Sequence, residues 1–453
     1  MSTIRRQTDV LTRYAPAEAL TAEVRRVLGE GSAAPYRRVA VTVEGIGDPL
    51  AWLAVQPACP RFYWHGRDDG RRVAALGEAL AVTGDDLNAV RPVVARLGPE
   101  AQLFGGLRFD PQRPPEPGAW RSAEAFRFTL PLLTLEVDAD GSARLVAHLV
   151  PHAGAAVLAA LAALADAAPL DVNLPLPVAR QDLPDRDGWN ATVGAALAAF
   201  RAGQMDKVVP ARRVTFDFPE PLDPFALMAR LEAATPGTYH LLAEHGPGAA
   251  FVSASPERLF RLEDGRIWTE ALAGTRPRGA TATEDARLSD ELHASDKEQR
   301  EHALVRDAIA HALGPLAAAL DADETPEAFA LARGRHLRTP MVGRLRPGVS
   351  PLDVLAALHP TPAVGGTPTP DALAFLRAHE PFDRGRYAAP FGWLSLNAAE
   401  FAVGLRCGRV DETRLALYSG AGVVEGSTPE AEWAEIEDKI ADFVAVLGLA
   451  ERR

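Results

Sequence analysis

The order of strands and helices in the second half of the chain constrains the fold more than any other feature of the sequence. Residues 251–272 read as two strands joined by Asp264-Gly265, a dipeptide typical of two-residue hairpin turns. A helical region is expected over 284–320, strands return at 387–418, and a helix closes the chain at 429–448. Because strands and helices come in clusters and do not alternate one by one, the pattern favours a large α+β fold over a doubly wound sheet.

The first half of the chain carries weaker signals of the same kind. Alternating runs at 38–43 and 126–130 predict short strands, and the Ala- and Leu-rich stretch 154–167 predicts a helix. Four prolines mark 168–187 as a linker, and a helix is expected after it, over 189–203. The chain is therefore predicted to divide near the end of this linker.

Composition narrows the class of protein. Among 453 residues, 48 Lys and Arg stand against 60 Asp and Glu, which gives a formal net charge of −12. A nucleic-acid partner needs a dense basic surface and is excluded, whereas a small anionic substrate needs only a few local cations. The two cysteines, Cys59 and Cys407, are too few for a disulfide scaffold or a thiolate zinc site. No apolar run reaches the roughly 18 residues of a membrane span, and the N-terminus lacks a secretory signal, so we expect a soluble cytoplasmic protein without a membrane partner.

The closing helix carries a row of charged side chains. Thr428 is a good N-cap, and apolar residues recur behind it at helical spacing. Glu432, Glu435 and Lys439 are spaced i, i+3 and i+7, so they lie in one row beside the apolar stripe. The row is either a solvated flank with a Glu435–Lys439 pair, or a cleft face with two carboxylates for a hard cation and one ammonium for an anion.

Glu301 is predicted on the buried face of a helix. Leu304, Val305 and Ala308 follow it at i+3, i+4 and i+7, the positions that share its face. A buried carboxylate needs a cation or a proton. A structural salt bridge and a metal ligand both satisfy that need.

Two further titratable residues lie on predicted strands. Glu270 shares one strand face with Trp268 and Leu272, so it suits a general acid if that face is covered; an exposed strand glutamate is the alternative. Lys207 opens an apolar strand, where a lysine usually reaches out to solvent. If it is desolvated, the same lysine can serve as a base.

Two glycine-rich turns complete the candidates. Residues 419–424 offer backbone N–H donors after a strand, and 359–366 form a loop constrained by prolines. Neither has the spacing of a phosphate loop, and the sequence contains no His-Glu-x-x-His or Gly-x-Ser-x-Gly motif. The chemistry therefore has to come from the combination of these segments.

Taken together and in this order, the segments resemble the chorismate-utilising enzymes, which are related to anthranilate synthase component I, and among them the isochorismate synthases. The matching segments are 205–209, 253–259, 269–275, 300–302, 359–366, 382–387 and 419–439. The N-terminal part of the chain, 1–187, matches only loosely, mainly at 61–64. The resemblance implies a large two-sheet α+β sandwich, in which 1–187 form a variable N-terminal part of the same fold and 188–447 form the chorismate-binding catalytic region.

The resemblance also implies a site, a cofactor and a substrate, chorismate. Glu301 and Glu435 would hold Mg²⁺, with Glu432 close by, against the ring carboxylate of chorismate. Lys207 would be the base that activates water for attack at C2, and Glu270 the acid that protonates the hydroxyl leaving C4. The other substrate-binding residues would be Gly274, Thr275, His359, Ala363, Tyr387, Arg406, Gly420, Gly422 and Lys439. The protein would act as a monomer or a homodimer.

Few residues decide the reaction within this family. Aminating relatives typically lack a lysine at the position of Lys207, and salicylate synthases typically carry threonine in place of Ala363. The resemblance therefore favours an isochorismate synthase, with menaquinone preferred to a siderophore as the product's destination. The alternatives are a salicylate synthase, an aminating enzyme and a non-catalytic chorismate-binding subunit. Two residues depart from the family: Pro210 removes a strand donor, which predicts an edge or a bulge, and Ala389 replaces a glycine.

Overall fold

The computed structural model describes residues 15–31, 34–45, 47–116, 124–331 and 334–449. Helices in this part of the chain are α1 (Ala15–Gly29), α2 (Pro49–Ala54), α3 (Val90–Leu97), α4 (Gly154–Ala162), α5 (Arg186–Arg201), α6 (Pro224–Ala234), α7 (Ala282–Ala294), α8 (Asp296–Leu313), α9 (Pro351–Leu358), α10 (Thr369–His379) and α11 (Pro429–Val446), with a 3₁₀ turn at Leu87–Ala89. None of these helices in the described ranges is both long and apolar enough to cross a bilayer.

The strands form two large antiparallel sheets and one small one. In chain order they are β1 (Arg37–Val43), β2 (Arg61–His65), β3 (Arg72–Leu76), β4 (Leu80–Gly84), β5 (Leu103–Leu107), β6 (Phe126–Leu130), β7 (Leu133–Val137), β8 (Ala143–Leu149), β9 (Ala179–Leu183), β10 (Lys207–Val208), β11 (Ala211–Asp217), β12 (Tyr239–Gly246), β13 (Ala249–Ser255), β14 (Arg258–Glu263), β15 (Arg266–Pro277), β16 (Ala317–Ala322), β17 (Glu327–Ala330), β18 (Gly334–Leu345), β19 (Gly366–Thr367), β20 (Pro390–Leu394), β21 (Ala398–Val403), β22 (Cys407–Asp411), β23 (Arg414–Gly420) and β24 (Val423–Val424).

The first sheet has the order β1-β8-β7-β3-β2-β12-β13-β22-β23-β11-β9, and the second has the order β16-β18-β15-β14-β21-β20-β5-β6-β4 with β17 beside β18. Aromatic side chains join the two sheets face to face: Phe62, Trp64 and Tyr239 of the first sheet share a buried cluster with Phe104 and Phe391 of the second. Alternate residues of each strand point the other way and pack under helices. The predicted two-sheet α+β sandwich is confirmed.

Both parts of the chain contribute strands to each large sheet. From the N-terminal part, 1–187, β2 pairs with β12 in the first sheet, and β5 pairs with β20 in the second. With β9, which pairs with β11, three strand pairings thus cross the predicted division at 187. Removing either part would leave strands of the other with unpaired edges.

Several predicted elements are confirmed, with shifted ends. Asp264 and Gly265 have φ values of 47° and 77° and join β14 to β15, as a two-residue hairpin turn requires. The helix predicted over 154–167 already ends at Ala162, and the linker contains β9, which pairs with β11 at the edge of the first sheet.

The helical region predicted over 284–320 consists of two helices and a strand. Ser295 ends α7 and caps α8 by accepting a hydrogen bond from the Glu298 N–H, so the chain turns between them. Residues after Gly314 leave the helix and form β16, which pairs with β18. The predicted helical region is therefore confirmed only as far as Leu313, and the cap at Ser295 divides it into two helices.

A small sheet positions the predicted base. Its middle strand, β10, pairs with β19 on one side and β24 on the other, so Lys207 lies opposite both Thr367 and Val424. Pro210 lies between β10 and β11, at the point where the chain passes from the small sheet to the first large one. The missing N–H of Pro210 therefore falls where no strand needs it.

A buried ion pair ties this region together. Arg384 and Glu380 are one turn apart and have side chains that are 2% and 3% exposed. Arg384 also donates to the carbonyl oxygens of Val364 (2.9 Å) and Val209, and Glu380 accepts from the backbone N–H of Ala211 (3.0 Å). The pair thus joins the 359–366 loop to the chain between β10 and β11.

Replacing Arg384 with Ala is expected to reduce the free energy of unfolding by about 3–5 kcal/mol, because it leaves the Glu380 carboxylate buried without its partner. Urea unfolding of the variant and the wild type measures the difference. The control is Arg287→Ala, since the Arg287–Glu291 pair is 57% and 50% exposed and should contribute less than about 1 kcal/mol. Equal losses in the two variants would contradict the stabilising role given to the buried pair.

Candidate active site

A cavity opens beside the small sheet, and it is lined mainly by residues that the sequence had singled out. Ten of the fourteen predicted site residues line it: Gly274, Thr275, Glu301, Ala363, Tyr387, Arg406, Gly420, Gly422, Glu435 and Lys439. They come from β15, α8, the 359–366 loop, the segment before β20, the turn before β22, the turn after β23, and α11. Segments far apart in the sequence therefore meet at one site.

Lys207 lies directly behind the wall of this cavity. Its side chain is fully buried, and Nζ donates to Oε1 of Glu301 at 3.0 Å. A Cβ atom on Gly422 would lie 2.3 Å from Glu301 Oε1 and 3.2 Å from Lys207 Cε. The absence of a side chain at this glycine is what lets the ion pair reach the cavity.

A second lysine–carboxylate pair lies on α11. Lys439 Nζ donates to Glu435 Oε1 at 2.7 Å and to the carbonyl oxygen of Gly420 at 3.0 Å, and Arg406 donates to the carbonyl oxygen of Lys439 at 3.1 Å. Burial tends to raise the pKa of Glu435, but the Lys439 ammonium holds it below its usual value. The Glu435–Lys439 pair of the first interpretation is present, but these two side chains line the cavity, as the cleft-face alternative placed them.

Glu432 is buried one turn away and does not line the cavity. Its Oε1 accepts from Lys297 at 2.8 Å, while its Oε2 is buried without a hydrogen-bond partner. Burial and the neighbouring Glu435 carboxylate both raise the pKa of Glu432. An oxygen in this position is suited to a cation or a proton.

Glu270 is also absent from the cavity lining. Its carboxylate makes a two-armed ion pair with Arg67, and the second arm, from Nη2 to Oε2, measures 2.9 Å. Oε1 accepts a further hydrogen bond from the backbone N–H of Arg258 at 3.1 Å. Because both oxygens of this carboxylate are engaged by Arg67 and Glu270 does not line the cavity, the structure does not support Glu270 as the acid that the sequence predicted.

Glu257 occupies the place that the prediction gave to Glu270. It follows β13, lines the cavity and is 5% exposed. Burial, reinforced by the Glu270 carboxylate, raises the pKa of Glu257 to about 8, although the Lys207 ammonium acts in the opposite direction. Glu257 therefore keeps its proton at neutral pH, as a general acid must.

The sequence contains one feature that indicates Glu257 as a site residue. The residue lies inside the matched segment 253–259, directly after Pro256, where a strand ends. Polar groups that follow a strand are placed at an edge of the sheet, where sites form. The Arg67–Glu270 pair holds this point from both sides, because Arg67 also donates to the carbonyl oxygen of Pro256 and Glu270 accepts from Arg258.

His359 supports the site from outside the cavity. Its Nε2 lies 3.1 Å from the carbonyl oxygen of Phe109, and the two rings meet edge to face. Burial lowers the pKa of His359 to about 4, so the ring is neutral. The structure thus gives this predicted substrate-binding residue a role in fixing the loop that brings Ala363 to the cavity.

This two-sheet fold, with a cavity that gathers lysine–carboxylate pairs and a protonated glutamate, is that of a chorismate-binding enzyme. The family model described as "Chorismate binding enzyme" matches residues 32–448, and the chain belongs to that family. The resemblance predicted from the sequence is confirmed.

Three relatives bring the comparison closer. The isochorismate synthase MenF of Escherichia coli is 34% identical over 409 residues, which cover 88% of this chain and 90% of MenF. The structure described as MenF, the menaquinone-specific isochorismate synthase of that organism, has a TM-score of 0.84 at 32% identity and covers 95% of this chain and 100% of its own. The salicylate biosynthesis isochorismate synthase of Pseudomonas aeruginosa is 38% identical over 348 residues, or 75% of this chain and 72% of that protein. Anthranilate synthase component I of Streptococcus pneumoniae shares the fold at a TM-score of 0.68 and 20% identity, covering 90% of this chain and 94% of its own.

The carboxyl group of Glu257 is expected to titrate near pH 8. NMR of protein labelled with ¹³C at glutamate carboxyls measures this pKa, and Glu257→Gln identifies the resonance by removing it. Glu270→Gln should lower the pKa and Lys207→Met should raise it, because the two charges act on Glu257 with opposite signs. A midpoint near 4.3, the value of an unperturbed glutamate, would contradict the assignment.

Proposed function

We propose that this chain is an isochorismate synthase. In the proposed reaction, a water oxygen bonds to C2 of chorismate, the two ring double bonds each move by one position, and the C4 hydroxyl leaves as water after protonation. The observation that carries the proposal is that a fully buried lysine, Lys207, lies directly behind the wall of a cavity lined by Glu257, whose pKa of about 8 keeps it protonated at neutral pH. Its relatives named isochorismate synthase support the same reaction.

Lys207 is proposed as the base that takes the proton from the attacking water. Its Nζ is shielded from bulk solvent, and its side chain lies behind the cavity wall next to Gly422, which lines the cavity. The rigid pairing of β10 on both sides fixes its backbone, so the amine has little freedom to swing away. Preorganisation of this kind is what a general base needs for in-place proton transfer.

Glu257 is proposed as the acid. Hydroxide is a poor leaving group, and a protonated carboxyl at the cavity wall supplies the proton that converts it to water. With a pKa near 8, the group carries that proton at neutral pH and loses it as the pH rises through 8. Burial and the neighbouring Glu270 carboxylate thus give Glu257 the protonated form that a general acid requires.

Chorismate carries two carboxylates, and the cavity offers groups for both. Arg406 and the hydroxyl of Tyr387 are proposed to bind the enolpyruvyl carboxylate, with backbone donors of Gly420 and Gly422. Tyr387 is placed for this, since its hydroxyl lies 2.8 Å from the position of a Cβ on Gly420. Lys439 adds positive charge beside Glu435. A few cations in a cleft are sufficient for an anionic substrate even in a protein of net charge −12.

The carboxylate side chains proposed to face the ring carboxylate of chorismate suit Mg²⁺. Glu301 and Glu435 line the cavity, and Glu432 offers a buried oxygen without a partner. Carboxylate oxygens are the ligands that this hard cation prefers, so we propose that Glu301 and Glu435, supported by Glu432, hold it. When bound, the ion would offset the negative charge of the ring carboxylate.

The proposed pathway is menaquinone biosynthesis. The solved isochorismate synthase described as menaquinone-specific has a TM-score of 0.84 with this chain, compared with 0.73 for the one described as 2,3-dihydroxybenzoate-specific. We place the reaction in the cytoplasm, with a monomer or a homodimer as the acting form.

Lys207→Gln and Glu257→Gln are each expected to lower kcat by about 10²–10⁴-fold, the usual contribution of a general base or acid. Glu270→Gln should retain far more activity than Glu257→Gln at a pH where Glu257 keeps its proton, but its rate should fall at a lower pH than that of the wild type, because the variant lowers the pKa of Glu257. The wild-type rate should fall as the pH rises through about 8, where Glu257 loses its proton. The measurement is isochorismate formation from chorismate and Mg²⁺ across pH, followed by chromatography.

Product identity separates the proposal from its alternatives. Chromatography should show isochorismate as the main product, with and without ammonium. Salicylate and pyruvate as main products would replace it with a salicylate synthase, and an amino product with ammonium would replace it with an aminating enzyme. If Glu270→Gln loses more activity than Glu257→Gln, the original assignment of the acid to Glu270 stands instead.

Glu301→Gln and Glu435→Gln are expected to abolish turnover and Mg²⁺-dependent chorismate binding in calorimetry, because each removes a charged oxygen ligand. The control is Glu437→Gln, since Glu437 lies on the same helix, pairs with Arg180 and Arg212, and does not line the cavity. Its Mg²⁺ dependence should match that of the wild type. Full wild-type activity after exhaustive chelation would overturn the metal assignment.

A further inference from the structure

A group of three potential metal ligands lies away from the cavity, on the face of the first sheet that packs against α6. His65 of β2 and His240 of β12 are direct partners across the two strands, and Glu232 projects from the last turn of α6. One ligand atom from each lies within 4.8 Å of the other two, and in the described residues this is the one such group of three or more. None of the three lines the cavity.

The sheet separates this group from the aromatic cluster between the two sheets. Trp64 and Tyr239, the sequence neighbours of the two histidines, belong to that cluster. Alternate strand residues point to opposite faces, so His65 and His240 face α6. The His65 side chain is 28% exposed and that of Glu232 is 19% exposed, which leaves a path from solvent.

The hydrogen bonds around His240 determine its tautomer. The hydroxyl protons of Thr235 and Thr238 are already committed, because Thr235 donates to the carbonyl oxygen of Leu231 and Thr238 donates to that of Thr235. Both hydroxyls also lie near Nε2 of His240, at 3.0 and 3.2 Å, so they accept there and Nε2 carries the ring proton.

The same argument leaves Nδ1 of His240 as a bare lone pair. The residue is 3% exposed, and Nδ1 is buried without a hydrogen-bond partner. A buried acceptor without a donor is costly, whereas a metal ion uses such a lone pair. A histidine that ligates metal through one nitrogen usually donates from the other to an oxygen, as Nε2 of His240 does.

His65 and Glu232 complete the donor set. Nδ1 of His65 and the hydroxyl of Tyr63 both lie 2.8 Å from Oε1 of Glu232, so both contacts fall on one of its two oxygens. Two imidazoles and one carboxylate suit Zn²⁺ and related transition ions, with a water in the fourth position. They suit Mg²⁺ poorly, because that ion prefers oxygen ligands.

We infer that His65, His240 and Glu232 form a second metal site, selective for Zn²⁺ or a similar divalent transition ion and separate from the catalytic cation. A metal ion bound there would join β2, from the N-terminal part of the chain, to β12 and α6. Because the ion would bind only to the folded state, it would raise the melting temperature of the protein.

The test uses the full chain without an affinity tag, stripped of metal and then held in excess Mg²⁺. Co²⁺ is added as a spectroscopic probe, and Zn²⁺ is titrated against it. We expect one Co²⁺ per chain with a tetrahedral visible spectrum, displacement by Zn²⁺, and a higher melting temperature with Zn²⁺. Absence of binding in the wild type, or displacement by Mg²⁺ alone, would overturn the inference.

Variants locate the site. His65 and Glu232 are partly exposed, and the variants His65→Ala and Glu232→Gln should abolish the Co²⁺ spectrum. Thr238→Val should weaken Co²⁺ binding by about 10–100-fold, because hydrogen bonds to a metal-binding histidine contribute that much to metal affinity. Glu435→Gln, at the catalytic cavity, should bind Zn²⁺ as the wild type does, and His65→Ala should keep wild-type turnover with Mg²⁺. Unchanged Co²⁺ binding in His65→Ala and Glu232→Gln would show that the ion binds elsewhere. Because these readouts are independent of turnover, they remain valid if the proposed reaction fails.

Discussion

The buried ion pair between Lys207 and Glu301 is the constraint on which the active site depends. A fully buried ammonium is tolerated only with a close partner, so the lysine strand and α8 must meet at a fixed distance. That requirement explains why β10 is held on both sides by short strands and why a residue without a side chain, Gly422, stands beside the pair. The large sheets, in turn, bring these short segments together.

Charge is arranged in the site by pairing two carboxylates and leaving a third protonated. Glu301 and Glu435 each have a lysine, whereas Glu257 is buried near the Glu270 carboxylate, which raises its pKa. Arg67 pairs with Glu270, and the Glu270 carboxylate in turn raises the pKa of Glu257. The N-terminal part of the chain therefore contributes to the acid chemistry of the catalytic region through one guanidinium.

The sequence could predict those features that depend on local pattern. The hairpin at 264–265, the cap and apolar stripe of the closing helix, and the buried face of Glu301 all follow from spacings of two, three or four residues. The assignment of the acid could not be made in this way. Strand alternation places Glu270 on a covered face, which is correct, but its partner Arg67 lies 203 residues earlier in the chain. A sequence that does not reveal this partner suggests Glu270 as the general acid, and Glu257 appears only as a residue at the end of a strand.

The sequence by itself determined the fold class, the family, the lysine and most of the residues that line the cavity, because these depend on local periodicity and on motifs in a fixed order. The tertiary structure decided that burial and the Glu270 carboxylate raise the pKa of Glu257, that α11 faces the cavity, and that His65, His240 and Glu232 meet on the face of the first sheet that packs against α6. Protonation and ligand geometry depend on burial and on charges a few ångströms away, and those neighbours are set by strand pairing between residues far apart in the chain.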